Sequence, residues 1–505
     1  MDAQTKMRAE HFDVLIVGAG ISGIGSAYHL QENLPEKTFV ILEAQETFGG
    51  TWHTHTYPGV RSDSDLYTFG YRFKPWTGTP IATADKILDY MGEVIEEHEL
   101  ARHIRYRHQI LEADWSSETN LWTVEAERAD TGERVYFTTN FLWMCQGYYR
   151  HSEGYTPRWE GMEAFKGRIV HPQTWPDDLD YKGKKVVLIG SGATAATLIP
   201  AIADDARHVT MLQRSPTYFV PGRNVDDLAD MLRGLEIDEH WIHEIVRRQR
   251  LKMGQFFTRR SFEEPEAVKQ ELLAGVSAYV GPEVTAQHFT PRYRPWRQRI
   301  AFVPEGDIFQ KVKEGKASVV TDEIDRFTET GIRLRSGEEL EADIIITATG
   351  FNLCVLGDIR FVVDGLPIDF ANTVTYRGMM FTGVPNLVWV FGYFRASWTL
   401  RVDILGDFVC RLLAHMDGKH ARKVLVALRP EDARMPLLPW IDDENFNPGY
   451  LMRSLHLMPK RGDKPEWQHT QDYWAERSAL PAIDLDGPEF AYGGKTVAPA
   501  LAAAE

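Results

Sequence analysis

Two glycine-rich segments have the residue types and spacing to bind the pyrophosphate of a dinucleotide. They are Gly18-x-Gly20-x-x-Gly23 and Gly190-x-Gly192-x-x-Ala195. In such a loop the first glycine permits a tight turn and the second lets the backbone approach the pyrophosphate. The third position allows close contact between helix and strand, and alanine is accepted there. The free N–H groups at the start of the following helix attract the phosphates. We therefore expect two dinucleotide sites.

The residue that follows the second strand of each unit indicates which ribose is bound. Glu43 lies 20 residues beyond Gly23, where a carboxylate can accept hydrogen bonds from a ribose 2′-hydroxyl. The corresponding place in the second unit holds Gln213 and Arg214, followed by Ser215, which we include in this site. A carboxylate would repel a 2′-phosphate, whereas a guanidinium can bind one through paired hydrogen bonds. The second site is therefore predicted to prefer NADPH over NADH.

Short apolar runs are expected to position both loops. Residues 13–17 and 38–42 are typical of buried parallel strands, and residues 21–31 are typical of the helix between them. The second unit repeats this pattern with strands at 186–189 and 209–212. The predicted fold class is α/β, with two Rossmann-like dinucleotide-binding domains, the second inserted in the first, and a helical insertion.

The order of these segments predicts where the domains begin and end. Helix-forming residues dominate 224–283, which favours a helical insertion at 224–285 within the second domain. The predicted divisions are 1–150 for the first part of the first domain, 151–223 for a linker and the first part of the second domain, 224–285 for the insertion, 286–350 for the second part of the second domain, and 351–505 for the second part of the first domain. The alanine-rich residues 496–505 are expected to form a mobile tail.

Composition excludes several classes of protein. The 505 residues include 56 basic and 72 acidic side chains, a formal charge of −16, so the chain lacks the basic surface of a nucleic-acid binder. The cysteines Cys145, Cys354 and Cys410 are widely separated, which disfavours a disulfide framework and favours a reducing setting. The first twelve residues lack the apolar core of a signal peptide, and no apolar run reaches the length of a spanning helix. We expect a cytoplasmic protein, with peripheral membrane contact left open and the oligomeric state unknown.

Other catalytic classes lack their residues. His53 and His55 are the only close histidine pair, and strand alternation would place both on one face, but no third ligand accompanies them. No metal site is therefore predicted. The chain has no C-x-x-C pair for a dithiol reductase and no G-x-S-x-G motif for a hydrolase.

A further motif lies between the two glycine loops. It is Phe165-x-Gly167-x-x-x-His171-x-x-x-Trp175-Pro176. Together with the loops on either side, this string resembles the fingerprint of the Baeyer–Villiger monooxygenases, and the resemblance extends over nearly the whole chain. The resemblance implies FAD at the first site and NADPH at the second. It also implies that the fingerprint residues belong to the linker between the domains and control conformation, without taking part directly in the reaction.

Other segments resemble the active-site loops of class B flavoprotein monooxygenases. Gly50, Thr51 and Trp52 belong to a segment similar to a flavin-contacting loop of that class. The resemblance maps the active-site arginine to Arg299 and its carboxylate partner to Asp63, while Arg292, Arg294 and Arg297 lie close by in sequence as alternatives. A fixed guanidinium would hold a flavin peroxide deprotonated more reliably than a lysine. Many relatives have a lysine where this chain has Gln298, so the strictness of the NADPH preference stays open.

The resemblance also indicates a substrate class. Residues 392–401 and 447–453 are similar to the subgroup that contains thioamide-prodrug-activating monooxygenases, which oxidise aliphatic ketones and oxygenate sulfur. The implied reaction inserts one oxygen of O₂ beside the carbonyl of a small apolar ketone, through a flavin peroxide, to give an ester or lactone. Sulfides are implied as further substrates. Two alternatives stay open: a flavin monooxygenase of heteroatoms or long-chain alkyl groups, and a non-oxygenating NADPH–flavin reductase.

Overall fold

The computed structural model describes residues 9–494, so the tail expected at 496–505 lies outside the described residues. Within 9–494, no helix combines the length and the apolar character needed to cross a membrane. The α-helices are α1 (Ile21–Asn33), α2 (Thr51–Thr54), α3 (Leu66–Phe69), α4 (Ala84–Glu97), α5 (Ala193–Ile202), α6 (Asp227–Gly234), α7 (Glu239–Glu263), α8 (Pro265–Val280), α9 (Pro282–His288), α10 (Asp307–Lys313), α11 (Thr399–Gly418), α12 (Gly449–Ser454) and α13 (Tyr473–Ala479).

The strands fall into three stretches of the chain. The first stretch holds β1 (Glu10–Val17), β2 (Phe39–Leu42), β3 (Ile104–Arg105), β4 (His108–Ser116), β5 (Leu121–Arg128), β6 (Arg134–Met144) and β7 (Tyr149–Gly154). The second holds β8 (Arg168–Val170), β9 (Lys185–Ile189), β10 (His208–Gln213), β11 (Phe219–Gly222), β12 (Ala301–Pro304), β13 (Ala317–Thr321), β14 (Ile324–Phe327), β15 (Gly331–Leu334), β16 (Glu339–Glu341) and β17 (Ile344–Thr347). The third holds β18 (Phe351–Leu353), β19 (Arg360–Val363), β20 (Leu366–Pro367), β21 (Thr375–Tyr376), β22 (Met380–Phe381), β23 (Leu387–Trp389), β24 (Lys423–Val426) and β25 (Phe490–Gly493).

The larger sheet has nine strands in the order β20-β19-β4-β5-β6-β1-β2-β3, with β23 also paired to β6. Strands β2 and β6 run parallel to β1 on either side, and Val17 pairs with both Leu42 and Met144. Strands β4 to β6 form the antiparallel meander. Because β1, β2, β6 and β23 run in the same direction, their carboxyl ends meet at one edge, where open α/β sheets bind ligands.

The smaller sheet has five strands in the order β13-β10-β9-β17-β8, all parallel. Ile189, at the end of β9, pairs with Leu212 on β10 and Thr347 on β17. Apolar clusters pack against both faces, because Val186 and Leu188 belong to one cluster and Val187 and Ile189 to another. Burial on two faces explains the continuous apolar runs in these strands.

The two sheets confirm the predicted α/β class with two Rossmann-like domains. All five strands of the smaller sheet lie in the chain between β6 and β19, two members of the larger sheet. The second domain is therefore inserted in the first. Helices α6 to α9 occupy the region predicted as the helical insertion, whereas the numbered domain limits stay a prediction.

Strand alternation does not place His53 and His55, because Thr51–Thr54 is the one-turn helix α2. Gly50 begins this turn with a φ of 55°, and its carbonyl accepts a hydrogen bond from the N–H of Thr54 at 2.9 Å. The imidazole of His55 bonds the Thr51 carbonyl within the same turn, at 2.9 Å. These local hydrogen bonds favour the helical turn over an extended segment.

Candidate functional site

One cavity of about 1110 Å³ is lined by residues that follow strands of both sheets. Its wall includes residues of both glycine loops together with Asp63 and Arg299. Pockets for one drug-sized ligand measure about 300–1,000 Å³, so this cavity exceeds the space that such a ligand needs. Both predicted nucleotide sites and the predicted reactive pair therefore face the same space.

The first glycine loop excludes side chains at its first and third glycines. Gly18 has a φ of 96°, and a Cβ there would lie 3.0 Å from the Cys145 carbonyl oxygen. A Cβ on Gly23 would lie only 1.8 Å from the Gly18 carbonyl oxygen. Gly20 caps α1 without a side-chain hydrogen bond and lines the cavity. This bare backbone at a helix N-terminus fits a pyrophosphate.

Glu43 lies at the carboxyl end of β2 and is buried at the cavity wall. Its Oε2 accepts a hydrogen bond from the Ala19 N–H at 2.7 Å, and its Oε1 accepts one from the Gln45 N–H at 2.8 Å. The pKa of Glu43 is raised, because the effect of burial exceeds the opposite effect of these hydrogen bonds. Each carboxylate oxygen can accept a second hydrogen bond, so the group can also accept one from a ribose hydroxyl.

The predicted flavin-contacting segment forms the neighbouring wall. A Cβ on Gly50 would lie 3.1 Å from the Cα of Gly20, so this segment and the first loop face each other. Thr51 begins α2 and is exposed to the cavity. Trp52 also lines the cavity and packs edge-on against Phe69, with ring centroids 5.7 Å apart.

The second glycine loop is closed at its first glycine and open at its second. A Cβ on Gly190, which has a φ of 134°, would lie 2.3 Å from the Ala348 carbonyl oxygen. A Cβ on Gly192 would meet no atom within 4 Å. Ala195 is fully buried in the core under α5 and does not reach the cavity. The loop therefore leaves free space directly above the N-terminus of α5, where a second dinucleotide fits.

Arg214 lies at the cavity wall with an exposed side chain. It makes no ion pair with the part of the chain that the structure describes. The preceding Gln213 is buried, and its Nε2 donates hydrogen bonds to the His288 carbonyl and the Thr321 hydroxyl at 2.6 and 2.9 Å. Ser215 lies outside the cavity wall, and its carbonyl accepts a hydrogen bond from the Ser191 hydroxyl at 3.2 Å. Arg214 is therefore the strand-end residue free to meet an anion.

Arg299 and Asp63 form a two-point ion pair at the cavity wall. Nε and Nη2 of the guanidinium donate to the two carboxylate oxygens at 2.9 and 2.7 Å, and Nη1 donates to the Phe394 carbonyl at 2.9 Å. Burial disfavours the charge on Arg299, but the carboxylate of Asp63 outweighs burial and raises the pKa of the guanidinium. About a third of the Arg299 side chain is exposed. The pair therefore presents a permanent, oriented cation to the cavity.

The neighbouring arginines occupy other places. Arg292 is exposed, and Arg294 donates to the Asn445 carbonyl at 2.9 Å. Neither of them, nor Arg297, lines the cavity. Among these four arginines the structure thus brings Arg299 alone to the cavity wall.

The fingerprint residues divide into one that reaches the cavity and four that do not. His171 lines it; its Nε2 donates to the Gly350 carbonyl at 3.1 Å, and its Nδ1 accepts from the Gln173 N–H at 3.1 Å. Burial lowers the pKa of His171, so the ring is neutral. Phe165, Gly167, Trp175 and Pro176 lie away from the cavity. Phe165 and Trp175 pack against apolar clusters of the second domain, which is consistent with a linker.

Three cavity residues were not found from the sequence as site residues. Tyr148, Tyr149 and Tyr450 line the cavity, and the Tyr148 hydroxyl donates to the Tyr149 hydroxyl at 2.7 Å. The ring of Tyr148 stacks on Trp398 with centroids 5.1 Å apart. Tyr148 and Tyr149 could have been found from their position, because they follow β6 at the carboxyl edge of the larger sheet, where ligands are expected.

Comparisons with known proteins agree with this geometry. The family described as "Flavin-binding monooxygenase-like" matches residues 76–231, and the "NAD(P)-binding Rossmann-like domain" matches residues 16–76. The FAD-containing monooxygenase EthA of Mycobacterium tuberculosis is 45% identical over 488 residues, which cover 95% of this chain and 98% of that protein. EthA of Mycolicibacterium smegmatis is 46% identical over 92% of this chain and 94% of its own length.

Solved structures show the same fold. An oxidised steroid monooxygenase bound to NADP has a TM-score of 0.74 at 22% identity, covering 95% of this chain and 99% of that one. The complex of OTEMO with FAD and NADP has a TM-score of 0.74 at 20% identity, covering 96% and 100%. These likenesses support the arrangement of two nucleotide domains around one cavity. The identity and coverage shared with EthA confirm the resemblance found in the sequence, and the chain belongs to the family of FAD-containing monooxygenases.

Proposed function

We propose that this protein uses FAD and NADPH to insert one oxygen atom of O₂ beside the carbonyl of small apolar ketones, giving esters or lactones, and that it also oxidises sulfides. When bound, FAD that NADPH has reduced supplies the activation of O₂. The chain's own residues bind the two cofactors, exclude water and hold a fixed positive charge beside the reacting atoms.

The roles proposed for individual residues follow their positions. FAD would be held by the first loop, the strand-end acid and the facing segment: Gly18, Gly20, Gly23, Glu43, Gly50, Thr51, Trp52 and Asp63. NADPH would be held by Gly190, Gly192, Ala195, Arg214 and Ser215. Ala195 would act by allowing α5 to pack closely, and Ser215 by fixing the loop through its carbonyl. Phe165, Gly167, His171, Trp175 and Pro176 would link the two domains.

The observation that carries the proposal is the ion pair between Arg299 and Asp63 at a cavity wall shared with both glycine loops. Negative charge develops on oxygen in this reaction, and an oriented guanidinium stabilises such charge without reorganising. Asp63 fixes the fork of the guanidinium through two hydrogen bonds, and the Phe394 carbonyl holds its third nitrogen. A lysine could not make this fork.

Replacement of Arg299 by alanine tests the proposal. We expect Arg299→Ala to retain FAD and to be reduced by NADPH at nearly the wild-type rate under anaerobic conditions. Ester formation from a 2-alkanone should fall by at least about 100-fold, the usual effect of removing such a charge. Mass spectrometry of the ester formed under ¹⁸O₂ measures the inserted oxygen directly.

The exposed Arg292 provides the matched control, because Arg292→Ala removes an arginine that does not line the cavity. Undiminished ester formation by Arg299→Ala would show that the arginine is assigned wrongly. A wild-type enzyme that oxidises sulfides but no ketone would be a heteroatom monooxygenase. NADPH consumption that yields H₂O₂ alone would identify a reductase.

We also propose a cytoplasmic location with peripheral contact to lipid through α7. All three cysteines are free and buried, as in proteins of reducing compartments. Trp241, Ile245 and Phe256 are 59%, 40% and 53% exposed, and their spacing places them on one side of the helix, opposite the buried His243. The arginines of α7 are ion-paired with carboxylates, so the contact would rest on burial of these apolar side chains. Trp241→Ser should reduce the fraction of protein that sediments with anionic vesicles. If the wild type instead forms dimers without lipid, and Trp241→Ser abolishes them, this face binds a second copy of the chain.

A further inference from the structure

Three phenols form a connected group beside the reactive ion pair. The Tyr148 hydroxyl donates to the Tyr149 hydroxyl at 2.7 Å. The ring of Tyr450 lies edge-on to that of Tyr149 with centroids 5.7 Å apart, and 6.4 Å from that of Tyr148. All three line the same cavity as Arg299. We call Tyr148, Tyr149 and Tyr450 the tyrosine triad.

The triad is neutral but lies in the field of the guanidinium. Burial raises the pKa of Tyr450, while the positive charge of Arg299 and the nearby hydroxyls of Tyr148 and Tyr149 act to lower it. Burial also raises the pKa of Tyr148 and Tyr149. A neutral phenol keeps its proton and can donate it in a hydrogen bond. A nearby cation makes that O–H a stronger donor, and among the phenols Tyr450 acts most strongly on Arg299.

The hydroxyl of Tyr450 keeps its hydrogen for a ligand. Each hydroxyl of the triad carries one hydrogen, and the hydrogen of Tyr148 is used on Tyr149. A ketone bound in the cavity offers an acceptor to the hydrogen of Tyr450. Aromatic rings hold the other two phenols in place: the ring centroid of Phe351 lies 4.3 Å from that of Tyr149, and that of Trp398 lies 5.1 Å from that of Tyr148.

We propose that Tyr450 donates this hydrogen bond to the carbonyl oxygen of a ketone, and that Tyr148 and Tyr149 position its hydroxyl. The inference rests on the proposed function and names how that site would select its substrate. The donor directs the carbonyl oxygen to the triad and stabilises negative charge that develops there when the carbonyl carbon is attacked. The phenolic proton stays on Tyr450, so no covalent bond to the protein forms or breaks. A sulfide has no carbonyl and does not need this donor.

The decisive experiment compares a ketone with a thioether of the same shape in Tyr450→Phe, which removes one oxygen atom. We expect kcat/KM for the ketone to fall about 100-fold and that for the thioether to stay within twofold. The rate at which NADPH reduces FAD should not change. Tyr492→Phe is the matched control, since its hydroxyl donates to the Leu485 carbonyl in a different part of the fold. Tyr148→Phe should show a weaker form of the same selectivity.

Binding of the same two ligands to the oxidised holoenzyme, measured by calorimetry, separates this inference from the proposed function. The affinity of the ketone should fall about threefold to tenfold in Tyr450→Phe, which corresponds to one hydrogen bond, while that of the thioether is retained. If wild type forms no ester but this binding difference appears, the proposed function fails and the carbonyl site stands. Equal loss for both ligands, or no loss for either, would overturn the tyrosine assignment.

Discussion

The two glycine loops share one motif but differ in packing and in charge. In the first loop, Gly23 is so close to the Gly18 carbonyl that a methyl group cannot enter, and the strand-end Glu43 is buried and held by two N–H groups. In the second loop, Ala195 occupies the third position, and the strand-end Arg214 is exposed without an ion pair among residues 9–494.

This difference teaches that the motif specifies the pyrophosphate site while residues outside it specify the rest of the dinucleotide. A closed loop with a buried, hydrogen-bonded acid suits a cofactor that stays bound. An open loop with a free guanidinium suits a cofactor that carries a 2′-phosphate and exchanges in each cycle. The two sites can therefore be disturbed separately.

The largest contrast is expected from adding one methyl group to each loop. Gly23→Ala places a Cβ 1.8 Å from the Gly18 carbonyl oxygen, so β1 and α1 must move apart. We expect a loss of about 3 kcal/mol or more in the free energy of unfolding, together with loss of bound FAD. The ratio of FAD to protein and the thermal midpoint measure both effects.

The second loop already carries an alanine at the position of Gly23, so the methyl group is added there by Gly192→Ala, where a Cβ meets no atom within 4 Å. The counterpart of Gly192 in the first loop is Gly20, where a Cβ would lie 3.6 Å from the Gly50 Cα. The Gly192→Ala variant should keep its FAD and its thermal midpoint, and only its KM for NADPH should rise, because the added methyl group lies where the pyrophosphate approaches. Equal loss of FAD from both variants would show that the two loops are not independent.

The sequence predicted the glycine loops and their strands better than the part of the cavity wall around Arg299. Both βαβ units, Glu43 and Arg214 could be located because strand, turn and helix follow each other within about 30 residues. The partners of Arg299 could not, because Asp63 is 236 residues away and the Phe394 carbonyl 95 residues away. Asp63 came from the family resemblance alone.

Two features of the site could not be derived from sequence spacing, and the physical causes differ. The tyrosine triad joins residues about 300 positions apart in the sequence, which only tertiary packing brings together, and phenols have no spacing rule comparable to that of glycine. Strand alternation does not apply at His53 and His55, because the carbonyls of Gly50 and Thr51 accept hydrogen bonds from N–H groups within one helical turn. Local turn chemistry prevailed there over alternation.

The second contrast concerns charge at the ribose. Arg214→Ala should raise KM for NADPH about 10- to 100-fold, because a hydrogen-bonded charge contributes about 1.5–3 kcal/mol. KM for NADH should change less than twofold, since NADH has no 2′-phosphate. Steady-state kinetics with both nucleotides measure this, and Arg207→Ala serves as control because Arg207 is exposed outside the cavity wall. If KM rises equally for NADPH and NADH, Arg214 does not bind the 2′-phosphate.

The smallest expected contrast is a pH dependence of stability that arises beside the first loop, at His55. Burial lowers the pKa of His55 to about 4, and the nearby His151 and His171 lower it further, against the hydrogen bond to the Thr51 carbonyl. Because the folded-state pKa lies below the ordinary value of 6.5, His55 contributes stability that is complete above pH 6.5. That stability is lost as the pH falls toward about 4.

Between pH 6.5 and 5.5 the loss should be about 1 kcal/mol. His55→Gln keeps a donor for the Thr51 carbonyl but cannot titrate, so its thermal midpoint should fall less over this interval than that of wild type. The buried His243, whose pKa is also lowered to about 4 by burial, titrates in both proteins and cancels in the comparison. If the thermal midpoints of wild type and variant fall in parallel, His55 is hydrated in the folded protein. The first site would then be no more sensitive to acid than the second.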